Sequence, residues 1–313
     1  MQNSWSSIAK EQVTAFAFSS LKALSCILPA QAKVSIAKVI AALFYKHHTR
    51  YRSIARANLD FIYGDTLSTQ KKEQIIKDMF FNLAQNLGSF IENQNISKEK
   101  LLEKVTFKND KILLDAIASN KPIIFITAHQ SNWEILPLAI SAKYQPLVGV
   151  GRPLKQPWLD KILQKNRQQF DIEMISKHGA MIKMVKRVKA KKLLGLLVDQ
   201  NLEGVEVEFF GKRTIHTHSA AILALKYDAI VIPAFITRVG FEKYEATFYD
   251  PITIEKSGNE AQDIIQHTQK QADITQKIIE HSPHEWLWIH RRWKQTYPEI
   301  YDLQKPNLSS RKR

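Results

Sequence analysis

The sequence predicts an α/β fold: a mixed, twisted sheet flanked by helices, preceded by an N-terminal apolar helical anchor. Three observations carry that prediction. The runs IIFIT (123–127), which is β-branched, LLGLLVD (193–199) and IVIPAFIT (230–237) are short and nearly continuous in apolar residues, as strands buried on both faces are. Stretches of helical periodicity alternate with them, the pattern of a sheet joined by crossover helices. At 313 residues, with 44% hydrophobic and 24% charged, the chain can bury a substantial core.

In chain order, VTAFAFSSLKALSCIL (13–28) is an apolar helix candidate that contains Lys22 and stops at Pro29. It falls short of the ~20 apolar residues of a clean membrane span. Val34 to Tyr45 is apolar but lies beside Lys33 and contains Lys38, so the two segments suit a kinked or hairpin-like anchor lying in a membrane interface. PAQAK (29–33) has the small residues of a signal-peptidase site, but Lys22 and Glu11 disagree with a signal peptide. Lys46, Arg50, Arg52 and Arg56 follow at once, which puts the body of the protein on the cytoplasmic side. Residues 68–95 read as a long amphipathic helix opened by Ser68, and Lys108 to Ser119 as the helix before the 123–127 strand. PLVGV (146–150) is a second strand, Gln156 to Phe170 a helix, and Ala180 to Lys192 a strongly basic helix. YEATFYD (244–250) alternates as a sheet-edge strand does, and Ala261 to Glu280 is helical. HEWLWIHRRWK (284–294) reads as a helix with Trp286, Ile289 and Trp293 in one row, its tryptophans and cations suited to a membrane interface. We see no repeat and no linker. Residues 1–48 read as anchor helices, 49–300 as one domain and 301–313 as a basic, disordered tail.

The chemistry concentrates at AHQSNWE (128–134), where a buried strand turns into the helix ILPLAISAK. The carboxyl ends of strands are where α/β proteins hold their sites. His129 and Glu134 are five apart, so on one helix they would point ~140° from each other. They can meet only if the helix starts between them. Ser131-x-x-Glu134 has the form of a capping box, which supplies such a start. Two readings remain open at this point. Either Glu134 caps and His129 is an ordinary turn histidine, or His129 is a base whose tautomer Glu134 fixes.

Asp199 and Gln200 end the 193–199 strand on the same rim as His129, where an aspartate is equally suited to capping a helix or turn. Gly151 and Arg152 leave a strand together, which suits a phosphate: the backbone can come close and a guanidinium binds two oxygens. His216 and His218 alternate as a metal pair would. With no cysteine nearby and no further spaced ligand, we expect no metal. Net charge is +15, from 45 Lys and Arg against 30 Asp and Glu, which favours an acidic partner. The basic stretch at 183–192 is either a solvated face or a dock for an acidic carrier protein or anionic headgroups. No groove-reading or RNA-stacking motif accompanies the charge, so nucleic acid is not expected as a partner. Cys26 is the only cysteine, which excludes an internal disulfide.

The motif HQSNWE at a strand end resembles the glycerolipid acyltransferase superfamily, and with Glu rather than Asp it is similar to the late (secondary) lipid A acyltransferases. VGVGRP (148–153), Arg167, LLVDQ (196–200), EFFGK (208–212), IVIPAFI (230–236) and EWLWIHRRWK (285–294) follow in the order and spacing of that branch, over about residues 40–298. The resemblance implies an enzyme that moves an acyl chain from an acyl carrier protein thioester to a hydroxyl of a lipid A precursor, needs no cofactor, and sits on the cytoplasmic face of a bacterial inner membrane. It implies catalytic roles for His129, Glu134, Arg167 and Asp199, and a phosphate contact for Arg152. Gln200, Arg291 and Arg292 are expected to bind substrate. The chain departs from the branch in reading AHQ before the motif and NLEGVEVEFF after Gln200, where many members are richer in glycine. That leaves a lysophospholipid or another polar lipid open as the acceptor.

Overall fold

The computed structural model describes residues 18–302, apart from 155, 202 and 254–255. Its strands are β1 (Val105–Lys108), β2 (Ile123–Thr127), β3 (Leu147–Gly151), β4 (Glu173–Ser176), β5 (Leu193–Leu197), β6 (Val205–Phe209), β7 (Lys212–His216), β8 (Ile230–Gly240) and β9 (Lys243–Phe248). Its helices are α1 (Ala30–His47), α2 (Thr49–Tyr63), α3 (Thr69–Glu92), α4 (Lys98–Leu102), α5 (Asp110–Ala118), α6 (Ile135–Lys143), α7 (Pro157–Arg167), α8 (Ala180–Lys189), α9 (Ser219–Tyr227) and α10 (Glu260–His281). Residues 18–27 are also helical.

Seven strands form one sheet in the order β1-β9-β8-β2-β5-β3-β4, and β6 and β7 pair as a separate hairpin. β8 and β9 are antiparallel, whereas β2, β5, β3, β4 and β8 run parallel, so the carboxyl ends of five strands share one rim. β2 lies at the middle of the sheet with its first four residues buried, as its β-branched apolar run requires. Leu113, Ala139 and Leu147 pack on one face of the sheet, under α5 and α6; Met184, Val188 and Leu223 pack on the other, under α8 and α9.

A third core joins α1, α2, α3 and α10 to the β6–β7 hairpin and to the segment after α10. That segment corrects the helix expected at 284–294. After a single 3₁₀ turn at Pro283–Glu285, Trp286 is extended (φ −82°, ψ 148°) and forms an antiparallel bridge with Gln130. Trp286 and Trp288 would point roughly 160° apart on a helix; on this irregular path both enter the core. Trp286, Trp288 and Trp293 have at most 1% of their surface exposed, so they are core residues rather than interface anchors. Burial of each contributes at most about 4–6 kcal/mol.

The sheet edge is also corrected. β9 lies between β1 and β8, and the edge strand is β1, a short VTFK that carries too little pattern to announce itself. α1 packs along α3 through Ala37 and Ala41, while Ile36, Val39 and Leu43 stay exposed on its other side. Among the described residues no helix is long and apolar enough to cross a membrane. The first part of the 13–28 segment and nearly all of the 301–313 tail lie outside the described residues.

Candidate active site

The site forms where β2 and β5, hydrogen-bonded neighbours, reach the rim side by side. Their ends bring His129 and Asp199 together from 70 residues apart in sequence. His129 Nδ1 lies 2.8 Å from Asp199 Oδ1, and the His129 amide donates to Asp199 Oδ2 at 2.9 Å. The Trp286 indole N–H donates to the same Oδ2 at 2.8 Å. Three donors therefore satisfy a carboxylate that is only 2% exposed.

The electrostatics follow from that arrangement. Burial alone would raise the Asp199 pKa, but the charge and hydrogen bond of His129, with the indole and the amide, hold it far below the ordinary range. Burial would lower the His129 pKa; the Asp199 charge and hydrogen bond, helped by Glu134, outweigh it and raise the value. With Asp199 ionised, the proton of neutral His129 sits on Nδ1, and Nε2 carries the lone pair. Gln200 Nε2 stands 3.2 Å from that Nε2.

Glu134 does not hold His129. Arg167 grips it with two hydrogen bonds, Nε to Oε2 at 2.9 Å and Nη2 to Oε1. The Trp133 indole donates to Oε1 at 3.2 Å, and its ring meets the His129 imidazole edge-on with centroids 5.3 Å apart. The capping box is absent as well. Ser131 has φ 52°, its amide donates to the Glu285 carbonyl at 2.9 Å, and its hydroxyl donates to Glu285 Oε1 at 3.3 Å. Glu134 occupies the N-cap position of α6 without a side-chain cap bond, free to face α7.

The turn after His129 is clamped from two sides. Leu287 N donates to the His129 carbonyl at 3.0 Å, and Asn86 Nδ2 donates to the Ser131 carbonyl at 2.6 Å. Arg238 Nη2 in turn holds Asn86 Oδ1 at 2.7 Å. Trp286 and His290 are the neighbours sequence reasoning missed; His290 Nε2 accepts the Asn201 amide at 3.0 Å, and burial lowers its pKa to about 4. A buried tryptophan needs a partner for its N–H, a signal present in EWLWIHRRWK but without an address until the fold closes.

Beside this constellation an apolar cavity of about 100 Å³ runs between the sheet and α6. Glu134, Arg167 and Trp133 line it together with Phe125, Leu136 and Leu147. Arg152 is exposed on the rim just beyond β3. The two arginines expected to bind substrate are engaged by the protein's own groups. Arg292 has no exposed surface: its guanidinium donates to Thr214 Oγ1 at 3.0 Å and to the Ile215 carbonyl at 2.5 Å, and lies 2.9 Å from His216 Nδ1. It fastens the hairpin to the segment after α10 and has no face to offer a ligand. Arg291 lies over the Tyr301 ring, 5.6 Å from its centroid. His216 is engaged by Arg292, and among the described residues no group of three or more His, Cys, Asp or Glu is placed to hold a metal ion.

A search of curated proteins finds no match to the chain. The family model for bacterial lipid A biosynthesis acyltransferases, in contrast, matches residues 1–295, which span the N-terminal segments, the His129 turn, Asp199 and the Trp286 segment. The histidine-centred rim and its apolar cavity therefore sit in a member of that family: the chain belongs to the bacterial lipid A biosynthesis acyltransferases.

Proposed function

We propose that the protein transfers a fatty acyl chain from an acyl carrier protein thioester to a hydroxyl of a lipid A precursor, by direct attack with His129 as the base. The observation that carries this reading is the Asp199–His129 pair, its free Nε2 directed at Gln200 beside an apolar cavity. The acceptor hydroxyl takes the place of the Gln200 amide at Nε2. His129 removes its proton as the oxygen attacks the thioester carbonyl, then returns the proton to the leaving thiolate. Asp199 holds the tautomer and stabilises the imidazolium. No acyl-enzyme is involved, and Cys26 sits exposed on the N-terminal helical segment.

Glu134 and Arg167 have a different task, at the mouth of the cavity. Glu134 fixes the guanidinium through Nε and Nη2, which leaves Nη1 over Gly151 as a donor for the developing oxyanion. Arg152, beside Gly151, suits a phosphate of the acceptor.

Two surfaces support the partners. α8 exposes Lys183, Lys186 and Lys189, a face for an acidic carrier protein. On the N-terminal helices Leu21, Leu24 and Ile27 join Ile36, Val39 and Leu43 as exposed apolar residues, Ile27 to 78%. Such a surface fits an interfacial anchor on the cytoplasmic face of an inner membrane, with Lys38 and Lys46 toward the headgroups.

The test offers the detergent-solubilised protein acyl carrier protein and coenzyme A thioesters against a lipid A precursor and a lysophospholipid, with His129→Ala as control. We expect transfer from the carrier protein to the lipid A precursor, reduced about 100-fold or more in the variant. Transfer to the lysophospholipid alone, or near wild-type rates in His129→Ala, overturns the reading.

A further inference from the structure

The floor of the cavity contains an unusual row. Phe125, Gly195, Gly149 and Met174 are register partners across β2, β5, β3 and β4, so their Cβ positions share one face of the sheet. The two middle places are glycines. Both lie on inner strands and yet keep part of their surface open, because they face the cavity rather than a packed side chain. Glycine weakens a strand unless something must approach it closely. Here a trough two strands wide opens under Leu136, Pro137 and Ile140 of α6.

Two neighbouring side chains partly fill that trough. A Cβ at position 195 would stand 2.8 Å from Leu147 Cδ2, and one at 149 would stand 2.9 Å from Met174 Sδ. Leu147 and Leu193 form the next register row on that face toward the amino ends of the strands and close the bottom. The open volume of about 100 Å³ is too small for a long chain. An apolar cavity of roughly 150 Å³ holds only a benzene-sized ligand. An acyl chain can therefore lie over Gly195 and Gly149 only if the tips of Leu147 and Met174 tilt off those glycines, with Leu147 still rooted at the bottom of the trough. Methionine is suited to that, being unbranched and adaptable.

We propose that Leu147 and Met174 are the movable stop of an acyl channel floored by Gly149 and Gly195, and that they set the length of chain the protein accepts. The proposal rests on the acyl-transfer reading above and names where the donor's chain ends. From Thr127 at the rim to the level of Leu147 the strands advance four residues, about 13 Å. An extended chain fills that depth with roughly ten carbons, at about 1.3 Å of advance per single bond of ~1.5 Å. Beyond that length Leu147 and Ile172 stand in its way, and shorter chains leave apolar surface uncovered at about fourfold in affinity per methylene.

The test is a ladder of saturated acyl thioesters assayed with the wild type and with Leu147→Ala, Met174→Ala and Gly195→Ala. Leu147→Ala and Met174→Ala are expected to move the preferred chain to greater length, raising kcat/KM for the next longer thioester relative to the wild-type optimum about tenfold. Gly195→Ala puts a methyl into the trough and is expected to move the preference to shorter chains. Each ratio is taken within one variant, so a smaller folded fraction scales both rates and cancels. An unchanged ladder in all three variants overturns the inference while leaving acyl transfer standing. A wild type that transfers no chain of any length overturns the function itself, and with it this channel.

Discussion

Asp199→Asn separates the role of Asp199 from that of Glu134. Asp199 Oδ2 accepts two donors, the His129 amide and the Trp286 indole, whereas Oδ1 faces only His129 Nδ1. An asparagine has one acceptor oxygen, and the two-donor position is the better place for it. Its NH2 is then presented to His129 Nδ1, which must accept rather than donate, so the imidazole proton moves to Nε2. The lone pair that should take the acceptor's proton is gone. A wrong tautomer of this kind costs about 10⁴-fold in kcat, or ~5 kcal/mol of transition-state stabilisation. Glu134→Gln leaves that tautomer intact and loosens only the grip on Arg167, so we expect a loss of about 10- to 100-fold. The assay is steady-state acyl transfer by both purified variants, with folding checked by circular dichroism. An Asp199→Asn variant retaining a tenth of the wild-type rate, or a Glu134→Gln variant as inactive as it, would refute this division of labour.

Because Asp199 raises the His129 pKa, activity should fall on the acid side at a pH above the ordinary histidine value of ~6.5; a kcat/KM profile with its limb at or below that value contradicts the pairing. The protonated pair also contributes stability that is present below ~6.5 and lost as pH rises through the raised His129 value, while Asp199 contributes stability above ~3.9 that is lost as pH falls through its depressed value; chemical denaturation across pH should show both trends and lose them in Asp199→Asn. Trp286→Phe keeps an aromatic ring but removes one hydrogen bond to a buried carboxylate, so we expect about 1.5–3 kcal/mol of lost stability by thermal unfolding. It should also shift the acid limb upward, since an undersolvated Asp199 attracts the imidazolium more strongly; a lower rate with an unmoved limb would make Trp286 structural only. Arg292→Ala empties a buried site and strands Thr214, the Ile215 carbonyl and His216, at a cost of about 3–5 kcal/mol. The surviving folded enzyme should keep its KM; a raised KM with unchanged melting would restore Arg292 as a substrate contact.

The parallel core of the fold was readable because strands buried on both faces are written as short, nearly continuous apolar runs, and IIFIT, LLGLLVD and IVIPAFIT all are. The α6 helix and the Ser68 cap of α3 were readable for the same local reason, since periodicity and capping act within a few residues. β1 and β4 were not, being four residues each with mixed burial.

At the site, the sequence by itself determined that a histidine and two carboxylates, at 129, 134 and 199, belong to strand ends on one rim. Which carboxylate serves the histidine was decided by tertiary structure alone. Local spacing left both readings of Glu134, five residues away, open; the positive φ of Ser131 and the pairing of that turn with Glu285 to Leu287 leave Glu134 to Arg167. Asp199 reaches His129 because β2 and β5 are adjacent, and strand adjacency is set by the packing of the whole sheet. The same holds for the last tryptophans: their composition suits an interface as well as a core, and only the closing of the third core around Trp286, Trp288 and Trp293 buries them.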